Sequence, residues 1–194
     1  MCITFNLASA NPREELKENF YGAIKGKTVA WIPITLGNPI GDSWTAPMRL
    51  NFEKYGIKLI VRDPNFDSNK QLQAVTAMIN EKPDVLIVQN PNVSLLAREL
   101  KRAMDNGIYV IQVGMMSNQM TDAHVIDDSN KIGKIIAEEI VKECGNGKSS
   151  GKVAIVQGEP TAAASLEQFQ GAMEVFNNND SIQVVSTQAA NWDS

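Results

Sequence analysis

The sequence is poor in the residues that build metal sites, disulfide frameworks and most acid–base machinery. It holds one histidine, His124, and two cysteines, Cys2 and Cys144, in 194 residues. The cysteines lie far apart with no C-x-x-C spacing, so there is no basis for a disulfide framework or a zinc site. A single histidine excludes any two-histidine metal spacing and leaves a Ser-His-Asp or Cys-His site only one candidate base. No apolar run reaches the roughly 18 residues that a membrane-spanning helix needs. Lys and Arg number 18 against 22 Asp and Glu, a net charge of −4. With no cationic excess to neutralise phosphates, nucleic acid is not an expected partner.

Phosphate-binding and dinucleotide-binding loops are missing as well. Gly147-Lys148-Ser149 has the form of a P-loop end, but Lys142 stands where the first glycine is required. That segment also follows a helix and precedes a strand, the reverse of the necessary order, and reads as a polar turn. No G-x-G-x-x-G follows the first apolar run. His124 falls at an expected strand edge, where a structural role is the simpler reading. Asp127 and Asp128 are adjacent on an extended segment, so one should face a cleft and the other solvent. The chain is therefore expected to be no enzyme and to carry no cofactor or metal.

What the sequence does contain is an even rhythm. Its composition is 43% hydrophobic, 21% charged and 6% aromatic, ordinary for a globular chain. At this length roughly two thirds of the unfolded surface can be buried, as one large domain or two small ones. Apolar runs of strand length occur at Thr28–Ile34, Ile57–Val61, Val85–Val88 and Tyr109–Val113, about 25 to 29 residues apart. Between them fall helix-like spacings. Trp44, Met48 and Phe52 lie in Asp42–Tyr55, ended by Gly56. A second helix, capped by Ser68, carries Leu72, Val75, Met78 and Ile79. A third has Leu95, Leu96, Leu100 and Met104 and stops at Gly107. The strands are continuous apolar runs, the pattern of a parallel sheet covered on both faces. The fold class is α/β, with doubly wound parallel-sheet lobes.

Near His124 the rhythm changes. Val125–Asp128 reads as an extended crossing, after which Ser129 opens a helix through Ile132, Ile135, Ile136 and Ile140 to Gly145. Val153–Val156, a helix around Leu166–Phe176 and Ile182–Val185 continue the pattern. The sequence then stops straight after a strand, which has the look of a cut and of an incomplete second lobe with apolar surface favouring association. At the other end, Ile3–Leu7 is apolar and Ala8-Ser9-Ala10 has an A-x-A form. A basic start is lacking, so a trimmed export signal and a disordered tag-like start both stay open. Residues 12–24 have room for one amphipathic helix.

In open parallel sheets, ligands bind outside the carboxyl ends of the strands. Past the first strand lie Asn38, Asp42 and Trp44; past the third, Gln89 and Asn90; past the fourth, Gly114 and Met115. Gly158 and Glu159 follow the strand at Val153, and Trp192 follows the strand at Ile182. Amides and aromatic faces suit ligands rich in hydroxyls. Asn38, Asn90 and Trp192 are the strongest candidates. Asn92 serves equally as a helix cap.

These motifs in this order resemble the ribose- and galactose-type periplasmic sugar-binding proteins of ABC importers. The likeness is carried by Val29-Ala30-Trp31-Ile32-Pro33 with Asn38-Pro39, Asp84–Asn90, Gly107–Ile111, Ile126–Ser129 with Gly133, Lys152–Gly158 with Gly171, and Gln188–Asp193. It implies a type I periplasmic binding protein fold, a small polar ligand (sugar or polyol) in an interlobe cleft, an ABC transporter permease as partner, and contact with the membrane only through it. The implied location is the periplasm, or the cell exterior with a membrane tether in a Gram-positive organism. It implies an N-terminal segment over residues 1–26, a lobe over 27–123, a hinge crossing over 124–128 and a partial lobe over 129–194. The implied ligand contacts are Asn38, Ile40, Asp42, Trp44, Asn90, Gly114, Met115, Gln168 and Trp192. Ile40 and Gly41 stand where the family has aromatics, with Trp44 as their replacement. Gly114 and Met115 stand where many relatives have Asp-Arg, and an expected arginine is absent near Leu166 and Gln168. The family's chain is much longer, so a complete cleft is not expected in this one. The alternative implied by the same architecture is the effector-binding core of a sugar-responsive LacI-type repressor without its DNA-binding headpiece.

Overall fold

The computed structural model describes residues 11–192; the readings made on residues 1–10 lie outside them. A helix, α1 (Pro12–Ile24), comes first, followed by β1 (Thr28–Ile32), α2 (Pro39–Lys54), β2 (Lys58–Val61), α3 (Ser68–Glu81), β3 (Val85–Val88), α4 (Ala97–Asp105), β4 (Tyr109–Val113) and β5 (Ala123–Val125). These five strands form one sheet in the order β2-β1-β3-β4-β5, and every pairing is parallel. Then come α5 (Ser129–Cys144), β6 (Lys152–Gln157), α6 (Ala163–Asn177) and β7 (Gln183–Ala189), with β6 and β7 paired in a second parallel sheet. The α/β class and the parallel sheet are as expected. Ala123–Val125 pairs with Ile111–Val113 as an edge strand of the first sheet, which takes in His124 and Val125 at the start of the expected crossing.

The first sheet is buried on both faces. Ala30, Ile32, Leu86, Val88 and Val110 pack against α3 and α4 through Val75, Met78 and Leu100. On the other face Val29, Trp31, Ile87 and Val113 meet Trp44, Met48 and Phe52 of α2. Trp31 is wholly buried, and its indole N–H donates to Thr45 Oγ1 at 2.8 Å, while Thr45 Oγ1 donates to the Gly41 carbonyl at 2.6 Å. A buried indole needs such a partner, because an unpaired N–H there would cost about 1–3 kcal/mol. The hydroxyl thus fixes the N-terminal turn of α2 against β1.

Helix starts were read late in two places. The start of α2 is Asn38 followed by Pro39: the Asn38 side chain accepts from Gly41 N at 2.7 Å, and proline fills the first helical position. Asp67, not Ser68, caps α3, accepting from the Asn69 and Lys70 amides. In the second half, α5 and α6 cross with Gly133 against the Gln168 backbone and Gly171 against the Asn130 backbone, where any side chain would overlap an oxygen. Both helices lie on one face of β6–β7, around Ala137, Phe176 and Ile182. On the other face Val156 is 72% and Val185 52% exposed.

At the amino ends of the first sheet, Asp84 ties three strands together. Its carboxylate accepts from Lys27 Nζ and from Thr28 N, both at 2.8 Å, while its own carbonyl accepts from Tyr109 N. The Lys27 ammonium and the Thr28 amide hold this carboxyl below the ordinary aspartate range. A carboxyl depressed in the folded state contributes stability above its unfolded value, near pH 4, and loses it as the pH falls. The side chain is 38% exposed, so solvent screening keeps the effect small. Asp84→Asn is expected to lower stability at pH 7 by about 0.5 kcal/mol and to flatten the acid limb of the unfolding curve below about pH 4. Urea titrations at pH 3 and pH 7 check this; an unchanged pH dependence would refute it.

Candidate functional site

The strands of the first sheet all run in one direction, so the segments that follow β1, β3 and β4 emerge along one edge of it. Gly158 and Trp192 follow β6 and β7 in the same way. Between these two edges lies a cavity of about 570 Å³. The first half walls it with Ile34, Asn38, Ile40, Trp44, Phe66, Gln89, Gly114 and Met115. The second half contributes Ser165, Gln168, Gly158 and Trp192, with Asp127 and Ser129 from the segment between. The two halves also touch directly. Ile34, Met115 and Ala162 form a buried apolar cluster, and Val93 N donates to the Thr161 carbonyl at 3.0 Å. A cavity walled from both halves therefore exists among the described residues.

Two glycines seat the two indoles. Gly114 has φ +72°, and a Cβ there would stand 2.7 Å from Trp44 Cη2. Trp44 lies between that glycine and the buried Trp31 ring, whose centroid is 6.4 Å away. In the second half a Cβ on Gly158 would overlap Nε1 of Trp192. A side chain at either glycine and an indole in its present place exclude each other. Neither seat was read from the sequence, because the glycine and the tryptophan of each pair are distant along the chain.

Most of the expected contacts line the cavity: Asn38, Ile40, Trp44, Gly114, Met115, Gln168 and Trp192. Two stand outside it. Asp42 turns back on its own loop, its carboxylate accepting from Gly37 N at 3.0 Å. Asn90 is fully buried behind Met115, donating to Gln112 Oε1 at 2.6 Å and to the Met115 carbonyl at 3.1 Å. Gln112 in turn contacts Thr121 and His124, the histidine nitrogen lying 3.1 Å away. The lone histidine is thus part of a polar network inside the first half. Asn92 turns the chain, accepting from Ser94 N and Leu95 N. The pair Asp127 and Asp128 divides as alternation requires: Asp127 lines the cavity and Asp128 caps α5 through Lys131 N.

Phe66 and Ser165 were missed. Reading past the first, third and fourth strands leaves out the second, whose loop holds Phe66 at φ 59°, its amide bonded to the Ile34 carbonyl. A lone aromatic after Asp63-Pro64 was the available signal. Ser165 lies in the first turn of α6, where serine is unremarkable by sequence; only burial distinguishes it.

The wall is mainly apolar, with single polar groups spaced among aromatic faces, and among the described residues no lysine or arginine lines it. Two of its amides already use their oxygens within the protein: Asn38 Oδ1 accepts from Gly41 N and Gln89 Oε1 from Ile34 N. What they leave for a ligand is the N–H₂ of each. Such a wall binds by shape, stacking and hydrogen bonding. Among the described residues no cluster of metal-ligating side chains is present.

A family described as "Periplasmic binding protein domain" matches residues 29–194. The ribose import binding protein of Bacillus subtilis is 29% identical over 186 residues, covering 95% of this chain and 59% of that protein. Its Escherichia coli counterpart is 24% identical, with 88% and 57% covered. Among solved structures, a Burkholderia graminis ABC transporter solute binding protein in complex with D-arabinose matches with a TM-score of 0.79 at 25% identity, over 87% of this chain and 57% of that one. The Caulobacter myo-inositol binding protein bound to myo-inositol has a TM-score of 0.76 at 23% identity, over 85% and 56%. The chain thus spans somewhat over half the length of the relatives it matches.

The glycine seats make a direct test. Gly114→Ala puts a methyl against Trp44 and forces a left-handed backbone on alanine, at a cost of about 1 kcal/mol or more. The Trp44 ring is expected to move, raising tryptophan quenching by acrylamide over wild type. Identical quenching and melting would overturn the seat.

Proposed function

The chain belongs to the periplasmic binding protein domain family, and from that premise we propose that it is a non-enzymatic solute-binding component of an ABC importer. Its ligand on this reading is a small polar molecule of the sugar or polyol class, held between the two halves and delivered to a membrane permease. The location that follows is outside the cytoplasmic membrane: the periplasm, or the exterior with a tether. The observation that carries the proposal is the cavity of about 570 Å³ walled from both halves, with one indole from each.

The chemistry follows from the wall. Trp44 and Trp192 offer flat apolar faces to the C–H side of a sugar ring, while Ile40 and Met115 close the remaining apolar boundary. Asn38 Nδ2 and the Gln168 amide, which can donate and accept, would meet ring hydroxyls. Gly114 contributes by absence, leaving the space Trp44 fills. Asp42 and Asn90 act behind the wall in this reading: Asp42 holds the loop that carries Asn38, and Asn90 holds Met115. Ligand in the cavity would add contacts to both halves and stabilise their approach, the form a transporter partner would recognise.

Calorimetry with D-ribose, D-arabinose, D-xylose and myo-inositol tests this. At least one is expected to bind, and Trp44→Ala and Trp192→Ala should each weaken it about tenfold, the scale of one aromatic contact with its buried area. If no sugar or polyol binds, the carbohydrate reading falls. If one binds and neither tryptophan matters, the cavity is not the site.

A further inference from the structure

Ionisable groups are almost absent from the cavity wall. Among the described residues Asp127 is the one exception, and no described cation lines the wall with it. It takes part in none of the ion pairs among the described residues. Its neighbour Asp128 is committed to the start of α5. Three aromatic rings share the wall: Trp44, Phe66 and Trp192. So does Ser165, which is 6% exposed and whose Oγ has no hydrogen-bond partner. A buried hydroxyl without a partner calls for an explanation, and beside a cavity a ligand hydrogen bond is one.

Resting on the carbohydrate reading above, we propose that the preferred ligand carries a protonated amine: an amino sugar or amino polyol, with Asp127 as its counter-charge. Filling the cavity removes water from around Asp127. A carboxylate losing its hydration with no opposite charge nearby pays a desolvation cost, which a neutral ligand's hydroxyls offset only in part. An ammonium offsets it by charge as well as by hydrogen bonding. Aromatic faces favour the same sign, since their quadrupoles attract cations. Anionic ligands, such as sugar phosphates and sugar acids, meet a like charge and no donor cation. Asp127 is exposed in the unliganded chain, so the preference is electrostatic in water-accessible surroundings and weakens with salt.

The test compares matched pairs by calorimetry on the chain as it exists: D-glucose, D-galactose and D-mannose, each beside its 2-amino-2-deoxy counterpart, at 20 mM and 500 mM salt. The amine of at least one pair should bind about ten- to a hundredfold tighter than its hydroxyl twin at low salt, the range of a charge-assisted hydrogen bond, and less so at high salt. Asp127→Asn should weaken the amine far more than its hydroxyl twin, closing the difference between them. Hydroxyl sugars that bind as tightly as their amines overturn the charge preference and leave the carbohydrate reading standing. A preference that survives Asp127→Asn, or a variant that loses both ligands alike, also overturns it. If neither member of any pair binds, this proposal fails, and if the panel of neutral sugars and polyols is silent too, so does the reading beneath it.

Discussion

Parallel strand pairing is the constraint from which the rest follows. When β1, β3 and β4 run the same way, their connections must cross over the faces as helices, and every following segment leaves at one edge. The pairing of Ile32 with Val88 brings Ile34 and Gln89 out side by side; that of Val88 with Gln112 puts Gly114 and Met115 beside them. These residues share no sequence neighbourhood. The second half repeats the device with Gly158 and Trp192, and a cavity arises because the two edges face each other across the Ile34, Met115 and Ala162 contact.

Core burial and site geometry are mechanically joined through α2. Trp31 is buried because it points from β1 into the face that α2 covers, and its N–H dictates a hydroxyl partner at Thr45. Thr45 reaches Gly41, so the first turn of α2 cannot slide along the sheet. Asn38 and Trp44 sit on either side of that anchor, one capping the helix and one entering the cavity. Losing the Trp31 side chain would therefore cost more than a core ring, on the order of 3–5 kcal/mol by itself: it would release Asn38 and Trp44, two of the residues that line the site from this element.

Much of the fold was legible because it rests on periodicity. Apolar runs such as Val85–Val88, buried from both sides, and the spacing of Val75, Met78 and Ile79 carry strand and helix without need of distant residues. Capping was less legible: Asp67 and Ser68 are both competent caps, and only hydrogen bonding separates them. The site was readable as far as strand ends can be counted, which located Asn38, Gly114 and Trp192. It was not readable where tertiary approach decides. Asn90 follows β3 just as Gln89 does, yet Gln89 reaches the cavity and Asn90 is consumed by Gln112. Phe66 enters over the Ile34 carbonyl, and Ser165 is orphaned by the packing of α6; neither fact has a local sequence signal.

The neutrality of the wall has a structural cause. The strand-end positions that could carry a charged side chain into the cavity, Gly114 after β4 and Gly158 after β6, are given over to seating indoles. A larger residue at either place would evict a ring, so aromatic surface and local charge compete for the same space. Charge enters only from beside α5, where Asp127 and Asp128 succeed each other. A helix start requires an acceptor, and Asp128 supplies it; the extended backbone then turns Asp127 the other way, into the cavity. Helix capping and cavity charge are two consequences of one dipeptide. The local rule that one carboxylate caps the helix thus leaves the second, among the described residues, as the one acidic side chain beside three aromatic faces.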